Sequence, residues 1–242
     1  MPYFIGQLGT TVNSGIAISS GKIDKLSGIH KFGYNDSITN AAETVWESGG
    51  VYSTYPTSGQ ALTVASSVID GTDEDVEITI EGLDYDYNLL TETVTLQSNG
   101  SQATDSGAWI RVFRAYVSGD QAVSGNVDIH TEGDASEQWA YINNAYQQTQ
   151  MAVYTVPAGK TGYLTKLEVG YDKQNDYEVR VMVREPGKVF RCMGVITGFA
   201  ENLDRHFEIP FHIPEKSDIR IDAKCGATGA VSAAFDLVLE DE

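Results

Sequence analysis

The sequence predicts an all-β protein: two antiparallel β-sandwich units of jelly-roll-like type, preceded by an extended N-terminal arm. Three observations carry this. Nearly every segment after Ile29 alternates apolar and polar residues with a period of two. The segments are short and separated by turn-forming stretches, which is sandwich spacing. Amphipathic helical stretches of ten or more residues are nearly absent; only ASEQWAYINNAY (135–146) has the composition of a short helix. The expected organisation is an arm over 1–28, an acidic sandwich over 29–147 and a C-terminal sandwich over 148–242.

The arm is rich in Gly, Ser and Thr and carries Phe4, Ile5, Leu8, Val12, Ile16 and Ile18 without a sustained period. Such a segment buries little surface alone, so these six side chains are expected to dock on a neighbouring copy or a larger particle. In the first unit, DVEITIEGLD sets Val76, Ile78 and Ile80 against Glu77, Thr79 and Glu81. TETVTLQS, WIRVFRAYVS and NVDIHTEG follow as further strands. After residue 150 about seven strands are expected. YEVRVMVRE places Tyr177, Val179, Val181 and Val183 on one face, and HFEIPFHIP places Phe207, Ile209, Phe211 and Ile213 likewise. Pro210 and Pro214 donate no ladder hydrogen bonds, which puts that strand at a sheet edge. VSAAFDLVL directs Val231, Ala233, Phe235, Leu237 and Leu239 inward.

Gly159-Lys160-Thr161 matches the end of a phosphate-binding loop, which requires another glycine five residues earlier and a helix immediately after. Tyr154 stands at the first place, and GYLTKLEV, with Tyr163, Thr165, Leu167, Val169 and Tyr171 on one face, reads as a strand. The tripeptide is therefore expected in a hairpin turn between MAVYTV and GYLTKLEV, with no nucleotide bound.

The 242 residues carry a net charge of −18, with 34 acidic and 16 basic side chains. Residues 32–110 contain no Lys or Arg. A surface of this kind repels phosphates, which need basic side chains to displace their counterions; no nucleic-acid partner is expected. No apolar run reaches the ~18 residues of a membrane span, so no membrane partner is expected either. The first residues lack the basic-then-apolar pattern of a secretory signal. Cys192 and Cys225 are too few and too far apart for a disulfide framework or a zinc site, and both read as buried free thiols.

Candidate chemistry is sparse. The four histidines have no metal-ligand spacing; His206 and His212 lie about 20 Å apart along one strand at ~3.3 Å per residue. No nucleophile stands beside a base in a recognised motif, so no catalytic residue and no cofactor are expected. The sharpest acidic cluster, IDGTDEDVE, offers Asp70, Asp73 and Asp75 as calcium ligands, with a solvated hairpin tip as the plainer explanation. Tyr52, Tyr55, Tyr85 and Tyr87 fall near loops, where rings serve an interface or stack on sugars; half-buried strand positions explain them as readily.

Several segments in order, "IHKFGYNDSI", "ETVWESGGVYSTYPTSGQAL", "ITIEGLDYDYNLLTETVTL", "WIRVFRAYV", "QTQMAVYTVPAGKTGYLTKL" and "PFHIPEKSDIRIDA…VSAAFDLVLEDE", resemble a family of tailed-bacteriophage virion structural proteins. The resemblance runs from about Ile29 to the C-terminus, and its motifs are turn and strand features with no active-site residue among them. It implies a non-enzymatic virion component, made in the host cytoplasm, whose partners are other virion proteins and further copies of itself as a homotrimer. A capsid decoration or head-fibre protein is the leading expectation; a carbohydrate-binding adhesin of the tail or baseplate is the alternative.

Overall fold

A computed structural model of the chain describes residues 3–5, 11–199 and 202–242, with side chains from Ser14 onward. In chain order the elements are β1 (Tyr3–Ile5), β2 (Thr11–Asn13), α1 (Ser14–Ser19), β3 (Leu26–Ile38), β4 (Glu43–Thr44), β5 (Leu62–Ser66) and β6 (Glu77–Asp84). There follow β7 (Leu89–Thr95), β8 (Ser101–Ala103), β9 (Trp109–Val117), β10 (Val127–Thr131), β11 (Asp134–Ile142) and β12 (Val153–Thr155). The chain closes with β13 (Lys160–Tyr171), β14 (Asp176–Arg184), β15 (Arg191–Phe199), β16 (Leu203–Ile213), β17 (Asp218–Cys225) and β18 (Gly229–Asp241). The protein is nearly all β, and every strand pair is antiparallel.

Four larger sheets surround two apolar cores. Sheets β16-β13-β18-β3 and β12-β17-β14-β15, the latter with β4 on β17, enclose the first. Sheets β11-β10-β5-β8 and β7-β6-β9 enclose the second. The alternating side chains expected to point inward do so: Tyr177, Val179, Val181, Val183, and then Val231, Ala233, Phe235, Leu237 and Leu239 are all buried in the first core. Val76, Ile78 and Ile80 are buried in the second.

The expected pair of self-contained sandwiches is not what forms. Strand β9 sends Trp109, Val112 and Ala115 into one core and Ile110 and Phe113 into the other, and β6 likewise divides Ile78 and Ile80 from Leu83. The three-stranded sheet is thus covered on both faces and shared. Nor does strand pairing follow a division at residue 147: β3 pairs with β18 and β4 with β17. Period two fixes which side of a strand faces a core, but not which distant strand lies beside it. Gly33 makes the β3 crossing feasible, because a Cβ there would stand 2.2 Å from the Val45 carbonyl oxygen and 2.4 Å from the Ala152 nitrogen.

Four local expectations are corrected. Residues 135–146 give strand β11 and a turn rather than a helix, since Ala140 and Ile142 register against Ile129 and Val127 and bury with Trp139 in the second core. The turn at 157–160 is not a hairpin: β12 and β13 belong to different sheets, and the chain crosses between them, with Gly159 at φ +69°. Thr165 is a bulge between Leu164 and Lys166, so the core side chains of β13 are Leu164, Leu167, Val169 and Tyr171 rather than one unbroken alternation through Tyr163 and Thr165. Opposite that bulge, β16 carries extra residues between His206 and Phe211, which turns Ile209 out to 89% exposure. The β16 strand does lie at a sheet edge, as its prolines require.

Candidate functional site

Three of the four loop tyrosines are used inside the protein. Tyr52 is buried, donates its hydroxyl to the Trp139 carbonyl (3.2 Å) and packs edge-on against Trp46 and Tyr55. Tyr55 lies between Phe190 and the guanidinium groups of Arg184 (4.2 Å from its ring centroid) and Arg111 (5.1 Å). Tyr87, held at φ +67° in the β6–β7 turn, takes Arg111 and Lys216 over its ring. Burial pushes the phenols of Tyr52 and Tyr55 above the ordinary tyrosine range. Only Tyr85 stands in solvent, at 59% exposure. The four rings do not make a sugar-stacking platform.

What they surround is a buried ionic lock between the sheets. Asp218, at the start of β17, accepts two bonds from Arg111 of β9 (2.6 and 3.2 Å), two from Arg184 of β14 (3.0 and 2.5 Å) and one from the Thr155 hydroxyl (2.8 Å). Beside it, Arg220 holds Asp222 (3.1 Å) and the Tyr52 carbonyl (2.7 Å), while Thr44 donates to Asp222 at 2.8 Å. Burial alone would lower the Arg111 pKa, but Asp218 outweighs it and raises it. The charged groups are all paired, and the arrangement joins β9 of the shared sheet to the β12-β17-β14-β15 sheet.

The acidic cluster is similarly structural. Asp73 is fully buried and accepts from the Ser66 hydroxyl (2.5 Å) and the backbone N–H groups of Ser124 (2.7 Å) and Gly125 (3.0 Å). Burial would raise its carboxyl pKa, but these donors prevail and lower it. Asp70 closes a turn onto Thr72 (3.0 Å to its nitrogen), and Asp75 occupies a left-handed position at φ +65°. Among the described residues no three His, Cys, Asp or Glu side chains gather as a metal site would require. At the Gly159-Lys160-Thr161 turn, the Gly159 N–H is taken by Glu215 (2.8 Å) and Lys160 pairs with Asp241.

Of the expected docking residues, Leu8 and the side chains of Phe4, Ile5 and Val12 lie outside the described residues. Ile16 is 59% exposed, whereas Ile18 is half-buried near Gly28 of β3. The arm is not extended throughout: β1 pairs with β2, and α1 buries Ala17.

Among the described residues, several of the most exposed large apolar side chains lie on two edge strands. Strands β15 and β16 are the outer strands of the two sheets around the first core. Val189 is 76% exposed, Val195 56%, Phe199 61% and Ile209 89%, with Met193 beside them. Residues 189–199 contain one charge, Arg191, which pairs with Glu185, and no acid. Natural edge strands are ordinarily blunted by charge or proline; β15 is not. Cys192 sits on this edge and is exposed, a correction to its expected burial, while Cys225 is buried as expected.

No family model and no curated protein matches the chain. Solved structures give distant likenesses. One is the infectious bursal disease virus Gt strain, at 10% identity over 89% of this chain and 72% of the other, with a TM-score of 0.26. Another is infectious bursal virus-derived T=1 particles, at 10% identity, 90% and 70% coverage and a TM-score of 0.26. A third is a two-domain protein of unknown function from Bacteroides fragilis, at 10% identity, 93% and 99% coverage and a TM-score of 0.21. At these scores the likeness carries no argument.

Proposed function

We propose that the chain is a non-enzymatic structural part of a tailed-phage virion, a capsid decoration or head-fibre protein that works as a homo-oligomer, trimeric by the family resemblance. The observation that carries this reading is the pair of open sheet edges at β15 and β16: five large apolar side chains are exposed on or beside strands that pair on one side only, on a chain of net charge −18. A monomer exposes such a patch at the risk of aggregation, so its natural use is a contact. The occupant argued here is a second copy. Residues 189–199 of the β15 edge carry no acid, so this edge is a part of the acidic molecule where two copies approach with little repulsion. The arm, with Ile16 in solvent, supplies a further contact to the particle. The engaged state of the Arg111–Asp218 lock supports a framework role, since its charged groups serve one another rather than a substrate.

Sedimentation velocity tests the reading. Wild-type protein should sediment above its 26.3 kDa monomer mass, and Val195→Lys, which puts a charge on the edge without touching a core, should release monomer with an unchanged circular dichroism spectrum. A monomeric wild type, or an oligomer indifferent to Val195→Lys, contradicts it. The adhesin alternative through Tyr52, Tyr55, Tyr85 and Tyr87 has no comparable support, because three of those rings are internal.

A further inference from the structure

The outer face of sheet β16-β13-β18-β3 carries a groove of about 580 Å³, built by strand register. Its first cross-strand row runs Phe32, Ala234, Glu168, Asp204 through β3, β18, β13 and β16. The second runs Tyr34, Ser232, Gly170, and Asn202 continues it: its Oδ1 would lie 3.5 Å from a Cβ on Gly170. These positions alternate with Val169, Val231 and Ala233, which face the core. The result has a defined section. Ala234, Ser232 and Gly170 form a low floor; a Cβ on Gly170 would already stand 2.7 Å from Ser232 Oγ. Aromatic rings form the β3 wall, where Tyr146 adds to Phe32 and stands edge-to-face with Tyr34 (6.3 Å, 79°). Side chains with planar amide or carboxylate groups, Glu168 of β13, Asp204 of β16 and Asn202 just before it, form the opposite wall.

The volume is in the range of small-molecule sites, whose pattern is apolar or aromatic surface with a few convergent polar groups. The charge restricts the ligand. Lys166 pairs with both Glu168 (2.5 Å) and Asp204 (3.5 Å), leaving the wall with one negative charge in excess. The Tyr34 phenol is held above its ordinary range, first by desolvation, then by Tyr146, Asp36, Asp172 and Glu47. An anionic ligand is repelled. A neutral molecule with an apolar face and many hydroxyls matches both walls: its ring face lies on an aromatic side chain, and its hydroxyls donate to carboxylate and amide oxygens.

We propose that this groove binds a neutral oligosaccharide, with Tyr146 as the stacking ring and Glu168, Asp204, Asn202 and Gln150 as hydrogen-bonding partners. The site is distinct from the β15 edge, and its test does not depend on the particle assignment. The experiment is an array of neutral and acidic bacterial surface oligosaccharides with an oligolysine peptide as a control. Calorimetry of any glycan bound follows, at 50 and 500 mM NaCl, for wild type, Tyr146→Ala and Asp204→Asn. Both substitutions alter exposed or partly exposed groups, and melting curves check that each variant remains folded. The expected result is binding of a neutral glycan, insensitive to salt and weakened about tenfold or more by either variant. Three results overturn it: no glycan above background; glycan binding that neither variant weakens; or salt-sensitive binding of oligolysine alone, which would assign the groove to cationic peptides.

Discussion

Replacing Lys31 by methionine should make the protein more stable at neutral pH and remove or reverse that advantage in alkali. Lys31 is an inward residue of β3, fully enclosed near the ring of Phe113 (5.8 Å from its centroid), and it donates to the Phe113 carbonyl. Desolvation, helped by the neighbouring Arg114 and opposed by Glu81, lowers its pKa from 10.5 to about 7. The unfolded chain therefore binds more protons than the folded one between about pH 7 and 10.5, and wild-type stability rises with pH across that window. At ~1.4 kcal/mol per unit, the amine lowers stability at pH 7 by about 4 kcal/mol relative to strong alkali. Lys31→Met removes that cost but leaves the Phe113 carbonyl without its donor, a loss of about 1–3 kcal/mol. The net gain at pH 7 is about 1–3 kcal/mol, or several degrees in Tm at ~2–4 °C per kcal/mol for a chain of this size. At pH 9.5 the amine's cost has fallen to about 1–1.5 kcal/mol, so the advantage should vanish or reverse. Urea unfolding followed by tryptophan fluorescence at both pH values measures this; other titrating groups are common to both proteins and cancel in the difference. A stability difference that is the same at pH 7 and 9.5 would refute the reasoning.

Asp73→Ala should cost about 3 kcal/mol or more in urea unfolding, because it strands the Ser66 hydroxyl and the N–H groups of Ser124 and Gly125 in the interior. Its carboxyl pKa is lowered by folding, so its contribution is present above the unfolded value of ~3.9 and is lost as pH falls through the folded one; a cost of Asp73→Ala that does not shrink in acid would contradict this. Asp218→Ala leaves Arg111 and Arg184 facing each other around an empty position and should cost about 3–5 kcal/mol, seen as a fall in Tm. A variant as stable as wild type would show that the lock does not join the sheets.

Much of the fold was legible, because a β-strand with one buried face writes its burial into alternate residues. Tyr177 to Val183 and Val231 to Leu239 are read off the chain without error. What was hidden are the events that interrupt period two. The Thr165 bulge shifts the phase of β13, and the extra residues of β16 expel Ile209, yet neither leaves a local mark. Strand β11 resembled a helix because Trp139 and Ala140 are both buried, beside a register shift in β10. Pairing of β3 with β18, some 200 residues apart in sequence, is a long-range choice that no local pattern encodes. The candidate sites suffered from the same limit. The tyrosines and Asp73 were visible as residue types, but their partners Arg184, Asp218, Ser124 and Gly125 arrive from distant strands. One usable signal was present: after 79 residues without Lys or Arg, Arg111 stands among Trp109, Ile110, Val112 and Phe113, as a cation does when a buried carboxylate awaits it. The groove could not be read at all, since its walls exist only once four strands are in register.

The measurement that bears most directly on the proposed role is the number of copies of this chain per purified virion, relative to the major capsid protein, by quantitative mass spectrometry of gradient-banded particles. A structural part should be present in a fixed ratio, at tens to hundreds of copies, and should stay with the particles through repeated banding. Absence from the particles, or a trace amount that washes away, would contradict the account.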